Sequence, residues 1–154
     1  MICLGIESTA HTFGAGVVNR KGEIFSDVRD VFTTTSGGMI PTDVAKHHKI
    51  VYQDVIRKTL EQSSVKKIDL VAYARGPGLS PCLHVGLAAA KELAADLNVP
   101  LIGVNHAISH LTSGLLYTKA KDPVMLYLSG ANTQIIALEE GMYRVFGETE
   151  DIGL

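Results

Sequence analysis

The sequence predicts an α/β fold, and three observations support this prediction. Of the 154 residues, 46% are hydrophobic, which is enough for a packed core and argues against disorder. Near the N terminus, short apolar runs alternate with tight polar turns, as in an antiparallel meander of strands. Further on, an alanine-rich helical pattern separates apolar runs at residues 68–74 and 100–104. That order is typical of a parallel strand–helix–strand unit with a right-handed crossover.

Each predicted element follows from its own pattern. Alternating or continuous apolar residues indicate strands, and apolar residues at helical spacing indicate helices. Polar turns that contain Gly22 or Gly141 join neighbouring strands, because glycine adopts positive φ at little cost. The predicted strands are residues 2–7, 13–18, 23–32, 68–74, 100–104, 124–128, 133–138 and 142–146, and the predicted helices are residues 42–62, 83–97 and 106–116.

The last three predicted strands repeat the order of the first three: strand, glycine-containing loop, strand, turn and strand. This repeat predicts two domains, residues 1–120 and residues 121–154, the second of which stops after its first sheet. A sheet without covering helices exposes apolar surface. We therefore expect self-association.

Composition excludes several classes of protein. With 14 Lys and Arg against 16 Asp and Glu, the net charge is -2, which excludes a strongly basic nucleic-acid-binding chain. Two distant cysteines, Cys3 and Cys82, make no disulfide framework. No apolar run has the length of a membrane span. We expect a cytoplasmic protein with no membrane partner.

Two loops that follow predicted strands carry residues suited to anion binding. The first contains Glu7, Ser8, Thr9 and His11, and the second lies within residues 128–133. Hydroxyls, small residues and free backbone N–H groups in such turns can bind a phosphate or a carboxylate. An ordinary hairpin turn explains either loop taken alone.

A third loop contains Gly76, Pro77 and Gly78, between a predicted strand and the alanine-rich helix. Glycine lets a backbone approach a ligand closely, and the N terminus of the following helix favours anions. A turn that needs an unusual φ angle explains the same residues.

His106 and His110 are four residues apart on a predicted helix, so they face the same side and are suited to share a metal. Two histidines on a helix surface are the alternative. The zinc-protease motif has a catalytic glutamate directly after the first histidine, and Ala107 occupies that position here. On the first predicted helix, the adjacent His47 and His48 point in different directions, which favours a solvated helix face.

Six motifs, in this order, resemble the tRNA threonylcarbamoyladenosine synthase family. The resemblance is to its archaeal and eukaryotic branch, the catalytic subunit of the KEOPS complex. The motifs are residues 5–12, residues 37–41, residues 76–79, residues 104–106 with His110, residues 127–130 with residues 132–133, and residues 147–149.

The resemblance implies an actin-like, sugar-kinase-like fold of two duplicated lobes. The first lobe would be complete, and the second would be cut after its first sheet. It also implies transfer of a threonylcarbamoyl group from its adenylate to the exocyclic amine of the adenine beside the anticodon. The adenylate is a substrate, and no tightly bound organic cofactor is expected.

The resemblance also implies a site, although it assigns no catalytic nucleophile. His106, His110 and Tyr127 would hold one divalent metal, iron or zinc. A further metal-binding aspartate and several nucleotide contacts would lie beyond Leu154. The implied substrate-binding residues are Tyr127, Leu128, Ser129, Gly130 and Ala131, and the phosphate-loop hypothesis concerns Glu7, Ser8, Thr9, His11, Gly76 and Gly78.

The implied partners are the small dimerisation subunit and the associated kinase of KEOPS, with tRNA bound through the complex. The sequence departs from the family pattern at several positions. Ala131 replaces a glycine, His84 replaces an arginine, Thr112 and Ser113 stand where an acidic residue is usual, and Glu150 stands at a normally apolar position. We expect the chain alone to be inactive. Two alternatives remain: a catalytically silent module that binds KEOPS-type partners, and a small-molecule kinase of the actin-like superfamily. The histidine pair argues against the kinase.

Overall fold

The computed structural model describes residues 1–35, 37–118, 120–130 and 132–150. Contacts divide the chain into two units, Met1–His106 and Ala107–Leu154. The domain boundary expected between residues 120 and 121 stays a prediction.

The first unit is a five-stranded mixed sheet with two long helices packed on it and on each other. The predicted order of strands and helices is confirmed, with ends that differ by a few residues. Its elements are β1 (Ile2–Glu7), β2 (Thr12–Asn19), β3 (Ile24–Val31), α1 (Pro41–Ser63), β4 (Leu70–Gly76), α2 (Ser80–Leu97) and β5 (Leu101–Asn105).

The strand order is β3-β2-β1-β4-β5. The first three strands form the predicted antiparallel meander, and β1 also pairs in parallel with β4, which pairs in parallel with β5. The carboxyl ends of β1, β4 and β5 therefore lie along one edge of the sheet. The loops that follow β1 and β4, and His106 directly after β5, lie at that edge.

The core lies between the sheet and the two helices. Leu4, Phe13 and Val17 alternate along β1 and β2 and are fully buried, as are Val44 on α1 and Val71 on β4. Burial of an aliphatic or aromatic side chain of this size contributes about 1.5–3 kcal/mol each. Small residues of α2 let this helix approach the sheet closely, and those that are buried are Gly86, Ala89, Ala90 and Ala94.

The helix ends follow the expected chemistry. Proline lies in the first turn of both α1 and α2, where no backbone N–H is needed. Ser64 and Asn98 end these helices in the left-handed conformation, with φ of 53° and 51°. Between these ends, the two long helices pack against each other and against the sheet.

The second unit contains most of helix α3 (His106–Tyr117), which begins at the last residue of the first unit, and a second antiparallel meander. The meander consists of β6 (Met125–Leu128), β7 (Asn132–Glu139) and β8 (Met142–Glu150). Glu140 and Gly141 have φ of 50° and 78°, as in the two-residue hairpin turn that the sequence predicts. The repeat of a three-stranded meander is confirmed.

Apolar side chains are exposed on this second sheet. Leu126 and Leu128 are 61% and 67% exposed, and Ile135, which pairs with Leu126, is 44% exposed. Among the described residues, no helix is both long enough and apolar enough to span a membrane.

Candidate functional site

The loop after β1 and the loop after β4 lie against each other, as the parallel pairing of their strands requires. The N–H of Leu79 donates to the carbonyl oxygen of Thr9 over 2.7 Å. A Cβ on Gly78 would lie 2.6 Å from the same carbonyl oxygen, so only glycine fits there. Sequence reasoning singled out these two loops separately, and the structure brings them together.

The side chains of the first loop mostly face protein. Ser8 and Thr9 are 1% and 4% exposed. Ser8 packs on α2 at Gly86, where an added Cβ would overlap its Oγ. His11 is exposed, and its carbonyl oxygen accepts the N–H of Phe32 over 2.8 Å. The assignment of this loop to phosphate binding stays a prediction.

Glu7 links this loop to His106. Its Oε2 lies 3.1 Å from Nδ1 of His106, and its Oε1 accepts the N–H of Thr9 over 2.6 Å and also the Thr9 hydroxyl. The same hydroxyl lies 3.4 Å from Nε2 of His106. Burial acts to raise the pKa of Glu7, but hydrogen bonds from His106 and Thr9 outweigh it and lower the pKa below its ordinary value. Glu7 is therefore an ionised carboxylate that faces an imidazole.

The other two predicted metal ligands are neighbours within the second unit. The rings of His110 on α3 and Tyr127 on β6 have centroids 5.9 Å apart, with an angle of 48° between their planes. Helix α3 and strand β6 thus bring an imidazole and a phenol close together, and the assignment of both residues as metal ligands stays a prediction.

The predicted substrate loop follows Tyr127 in a tight turn. The N–H of Ser129 donates to the carbonyl oxygen of Asn132, and the N–H of Asn132 donates back to Oγ of Ser129, each over 3.0 Å. Gly130 has φ of 80°, a conformation that favours glycine. Ala131, the departure from the family pattern, lies outside the described residues.

The expectation of a solvated face at His47 and His48 was wrong for His48. Its side chain is fully buried, and its Nε2 lies 2.8 Å from the carbonyl oxygen of Ala10 in the first loop. The helical period could have found it, because His48 follows Val44 by four residues and precedes Val55 by seven, and both valines are buried. Val44, His48 and Val55 form a buried stripe along α1. The sequence-based interpretation treated the adjacent histidines as a pair and missed this stripe.

A groove runs between α1 and α2 on the first unit, with a volume of about 750 Å³. Lys46, Lys49 and Tyr52 line it from α1, and His84 and Glu92 line it from α2. His84 donates from Nδ1 to the carbonyl oxygen of Ser80 over 2.7 Å, a contact within its own helix. The groove is mixed in charge and partly apolar, as is common for protein-binding surfaces.

Solved structures share this fold. YeaZ from Pseudomonas aeruginosa superposes with a TM-score of 0.63 at 16% identity, over 96% of this chain and 65% of that one. The ethanolamine utilization protein EutJ from Carboxydothermus hydrogenoformans superposes with a TM-score of 0.60 at 14% identity, over 98% of this chain and 51% of that one. These likenesses confirm the expected actin-like, sugar-kinase-like α/β fold.

Sequence relatives are much closer. The tRNA N6-adenosine threonylcarbamoyltransferase of Thermococcus kodakarensis is 49% identical over all of this chain and 47% of its own length. The enzyme of the same name from Methanopyrus kandleri is 46% identical over 99% of this chain and 46% of its length. The chain thus spans about half the length of these relatives. Residues 23–154 match the family described as TsaD: tRNA N6-adenosine threonylcarbamoyltransferase. The chain belongs to the tRNA N6-adenosine threonylcarbamoyltransferase family.

Proposed function

We propose that this chain supplies the first part of the active site of a tRNA N6-adenosine threonylcarbamoyltransferase. The reaction would transfer threonylcarbamoyl from threonylcarbamoyl-AMP to the exocyclic amine of the adenine beside the anticodon. The observation that carries the proposal is the contact of 3.1 Å between Oε2 of Glu7 and Nδ1 of His106, in a chain that belongs to this family. A carboxylate on one nitrogen of an imidazole is the arrangement that prepares the other nitrogen for metal binding.

The proposal includes one divalent metal, iron or zinc, held by His106, His110 and Tyr127. The donors fit, because a proton on Nδ1 of His106, which lies 3.1 Å from the Glu7 carboxylate, would leave the lone pair on Nε2. Among the described residues, no three side chains drawn from His, Cys, Asp and Glu form a group suited to a metal, and the proposed set takes its third donor from the Tyr127 phenol. When bound, such a metal would polarise a carbonyl or orient the threonyl group.

The chain's own residues would position the substrate. An aromatic amine is a weak nucleophile, so the mixed anhydride with AMP must supply a good leaving group. The turn at Ser129 and Gly130 directly follows the strand that carries Tyr127. The N–H groups of Ser129 and Asn132 are bonded within the turn, so the proposal assigns to the N–H of Gly130 the stabilisation of negative charge that develops on the carbonyl or phosphate oxygens. No serine or cysteine nucleophile is needed for this transfer.

The test compares the chain alone with the chain joined to the C-terminal half of the Thermococcus kodakarensis relative. We expect one iron or zinc per chain by elemental analysis, and threonine incorporation into tRNA by the joined protein only. His110→Ala and Tyr127→Phe should each reduce metal content. The control is His84→Ala, which removes an exposed histidine of α2. The proposal fails if the joined protein holds no stoichiometric metal, or if it modifies no tRNA.

A second proposal is that the groove between α1 and α2 binds a KEOPS-type partner, first of all the small dimerisation subunit. Through that complex the near-neutral chain would reach the associated kinase and tRNA, in the cytoplasm where tRNA is modified. The groove supports this proposal because it offers a volume of about 750 Å³ between the two helices of the first unit, lined by charged and apolar side chains.

Two substitutions to arginine test this surface. Ala88→Arg fills the groove and should abolish capture of the small subunit, whereas Ile50→Arg, at an exposed position of α1 outside the groove, should not. Equal capture by both variants would place the partner elsewhere. Family membership gives no support to the small-molecule kinase or the metalloprotease alternatives.

A further inference from the structure

We propose that His48 of α1 is a positioning residue for the pair formed by Glu7 and His106. It would act through one hydrogen bond, from its Nε2 to the carbonyl oxygen of Ala10, over 2.8 Å. The inference rests on the proposed function, because it assigns His48 a role toward the site that contains His106.

The chemistry of the buried stripe on α1 supports a specific role for this histidine. Its neighbours in the stripe, Val44 and Val55, are apolar, and its ring packs edge-on against Phe13 with centroids 5.6 Å apart. A buried imidazole without a hydrogen-bond partner destabilises the fold, whereas an apolar side chain at the same position has no polar group to satisfy. The hydrogen bond to Ala10 removes that destabilisation, and it fixes the loop to the helix.

The contacts lead from His48 to His106 in three steps. Ala10 follows Thr9, whose backbone N–H donates to Oε1 of Glu7 over 2.6 Å. The other carboxylate oxygen of Glu7 lies 3.1 Å from Nδ1 of His106. A shift of the backbone at Ala10 therefore moves the N–H that holds Glu7. Shifts of about 1 Å at such supporting contacts are enough to disturb a site.

A chain of side chains fixes which nitrogen of His48 carries the proton. A carbonyl oxygen only accepts, so Nε2 of His48 must donate and Nδ1 of the neutral ring must accept. Nδ1 of His48 lies 3.3 Å from Nδ1 of His47, whose Nε2 lies 2.8 Å from Oδ1 of Asp30. A hydrogen on Nδ1 of His47 that is donated to Nδ1 of His48 complements this tautomer, and Asp30 faces the other nitrogen of His47. This arrangement holds His48 in the tautomer that binds Ala10.

Two substitutions separate the hydrogen bond from packing. His48→Gln keeps an N–H donor near the position of Nε2, and His48→Leu keeps the bulk without the donor. Gln62→Leu, at an exposed polar position of α1 outside the groove, is the matched control. Thermal unfolding of all variants first shows which of them fold. If His48→Leu does not fold, the comparison rests on His48→Gln and the wild type.

Two readouts follow the site itself in the metal-free chain. Amide exchange of residues 8–11 should rise about tenfold in His48→Leu and remain near the wild-type rate in His48→Gln, because the loop opens locally. The ¹⁵N signals of the His106 ring should show a protonated Nδ1 in the wild type and in His48→Gln, and a mixture of tautomers in His48→Leu.

A third readout is zinc affinity. His48→Leu should lower it by about 10–100-fold, the range found when support of a ligating histidine is lost. The inference is overturned if His48→Leu leaves loop exchange and the His106 tautomer unchanged, or if His48→Gln behaves like His48→Leu. A wild-type chain that binds no metal would instead overturn the proposed metal site, and exchange and tautomer would still decide the role of His48.

Discussion

Gly86 of α2 and Ser8 of the loop after β1 are in contact so close that no side chain fits between them. A Cβ on Gly86 would overlap Oγ of Ser8 and lie 3.0 Å from its Cβ. Ser8 precedes Thr9, whose contacts hold Glu7 against His106. The close approach of α2 to Ser8 therefore fixes the position of the loop that carries the candidate site.

The first prediction concerns Gly86→Ala. Alanine gains up to about 1 kcal/mol of helix propensity over glycine, but overpacking a filled contact costs about 1–3 kcal/mol. We expect a lower midpoint of thermal unfolding and faster amide exchange at residues 8–11. Gly114→Ala is the control, because Gly114 lies on α3 with nothing within 4 Å of the added Cβ, and it should be neutral or stabilising. A Gly86→Ala variant as stable as Gly114→Ala would contradict the close contact.

The second prediction concerns stability against pH. Burial lowers the pKa of His48 below its ordinary value of 6.5, while the hydrogen bond to Ala10 opposes that shift. Electrostatic interaction with His47 and His11 also lowers the pKa of His48, and interaction with Glu7 raises it. Because the folded pKa is the lower one, the unfolded chain binds more protons in this range. Stability is then full above about pH 6.5 and falls as the pH drops toward the folded pKa.

Denaturant unfolding at pH 7.5, 6.5 and 5.5 measures this effect. The wild type should lose stability over that range, and His48→Gln, which cannot titrate, should lose less. Parallel curves for the two proteins would mean that His48 titrates alike in the folded and unfolded chain.

The third prediction concerns Glu7→Gln. An amide supports the His106 imidazole less well than an ionised carboxylate, and loss of such support typically costs 10–100-fold in metal affinity. We expect that loss in zinc competition measurements on the joined protein. Glu140→Gln, in the hairpin turn of the second sheet at an 80% exposed side chain, should leave affinity unchanged. Equal affinities in the two variants would remove Glu7 from the site.

The fourth prediction concerns the exposed apolar face of the second sheet. Leu126 and Ile135 are cross-strand neighbours on that face, and both are exposed. Light scattering should show self-association of the chain, reduced by the double substitution Leu126→Thr and Ile135→Thr. Ile50→Thr removes a single exposed apolar residue from α1 and should change nothing. A monodisperse wild-type monomer would show the prediction wrong.

The sequence was informative where a pattern is local. Strand and helix positions followed from periodicity, and the hairpin at Gly141 followed from turn chemistry. The contact of Glu7 with His106 was out of reach, because it depends on the position of β1 between β2 and β4, which no local pattern encodes. The role of His48 was missed although its place in the apolar stripe of α1 was visible.

The central position of β1 has a consequence for the order of folding. The meander of β1, β2 and β3 is made of neighbouring segments and can close early, whereas Thr9 and His106 are 97 residues apart. Contacts between residues so far apart in sequence form slowly, because the chain loses the entropy of closing the loop before the contacts stabilise it. A growing chain has most of the first sheet before it has the residues that complete the candidate site. Protection of the loop at Thr9 is thus a late marker of folding in the first unit.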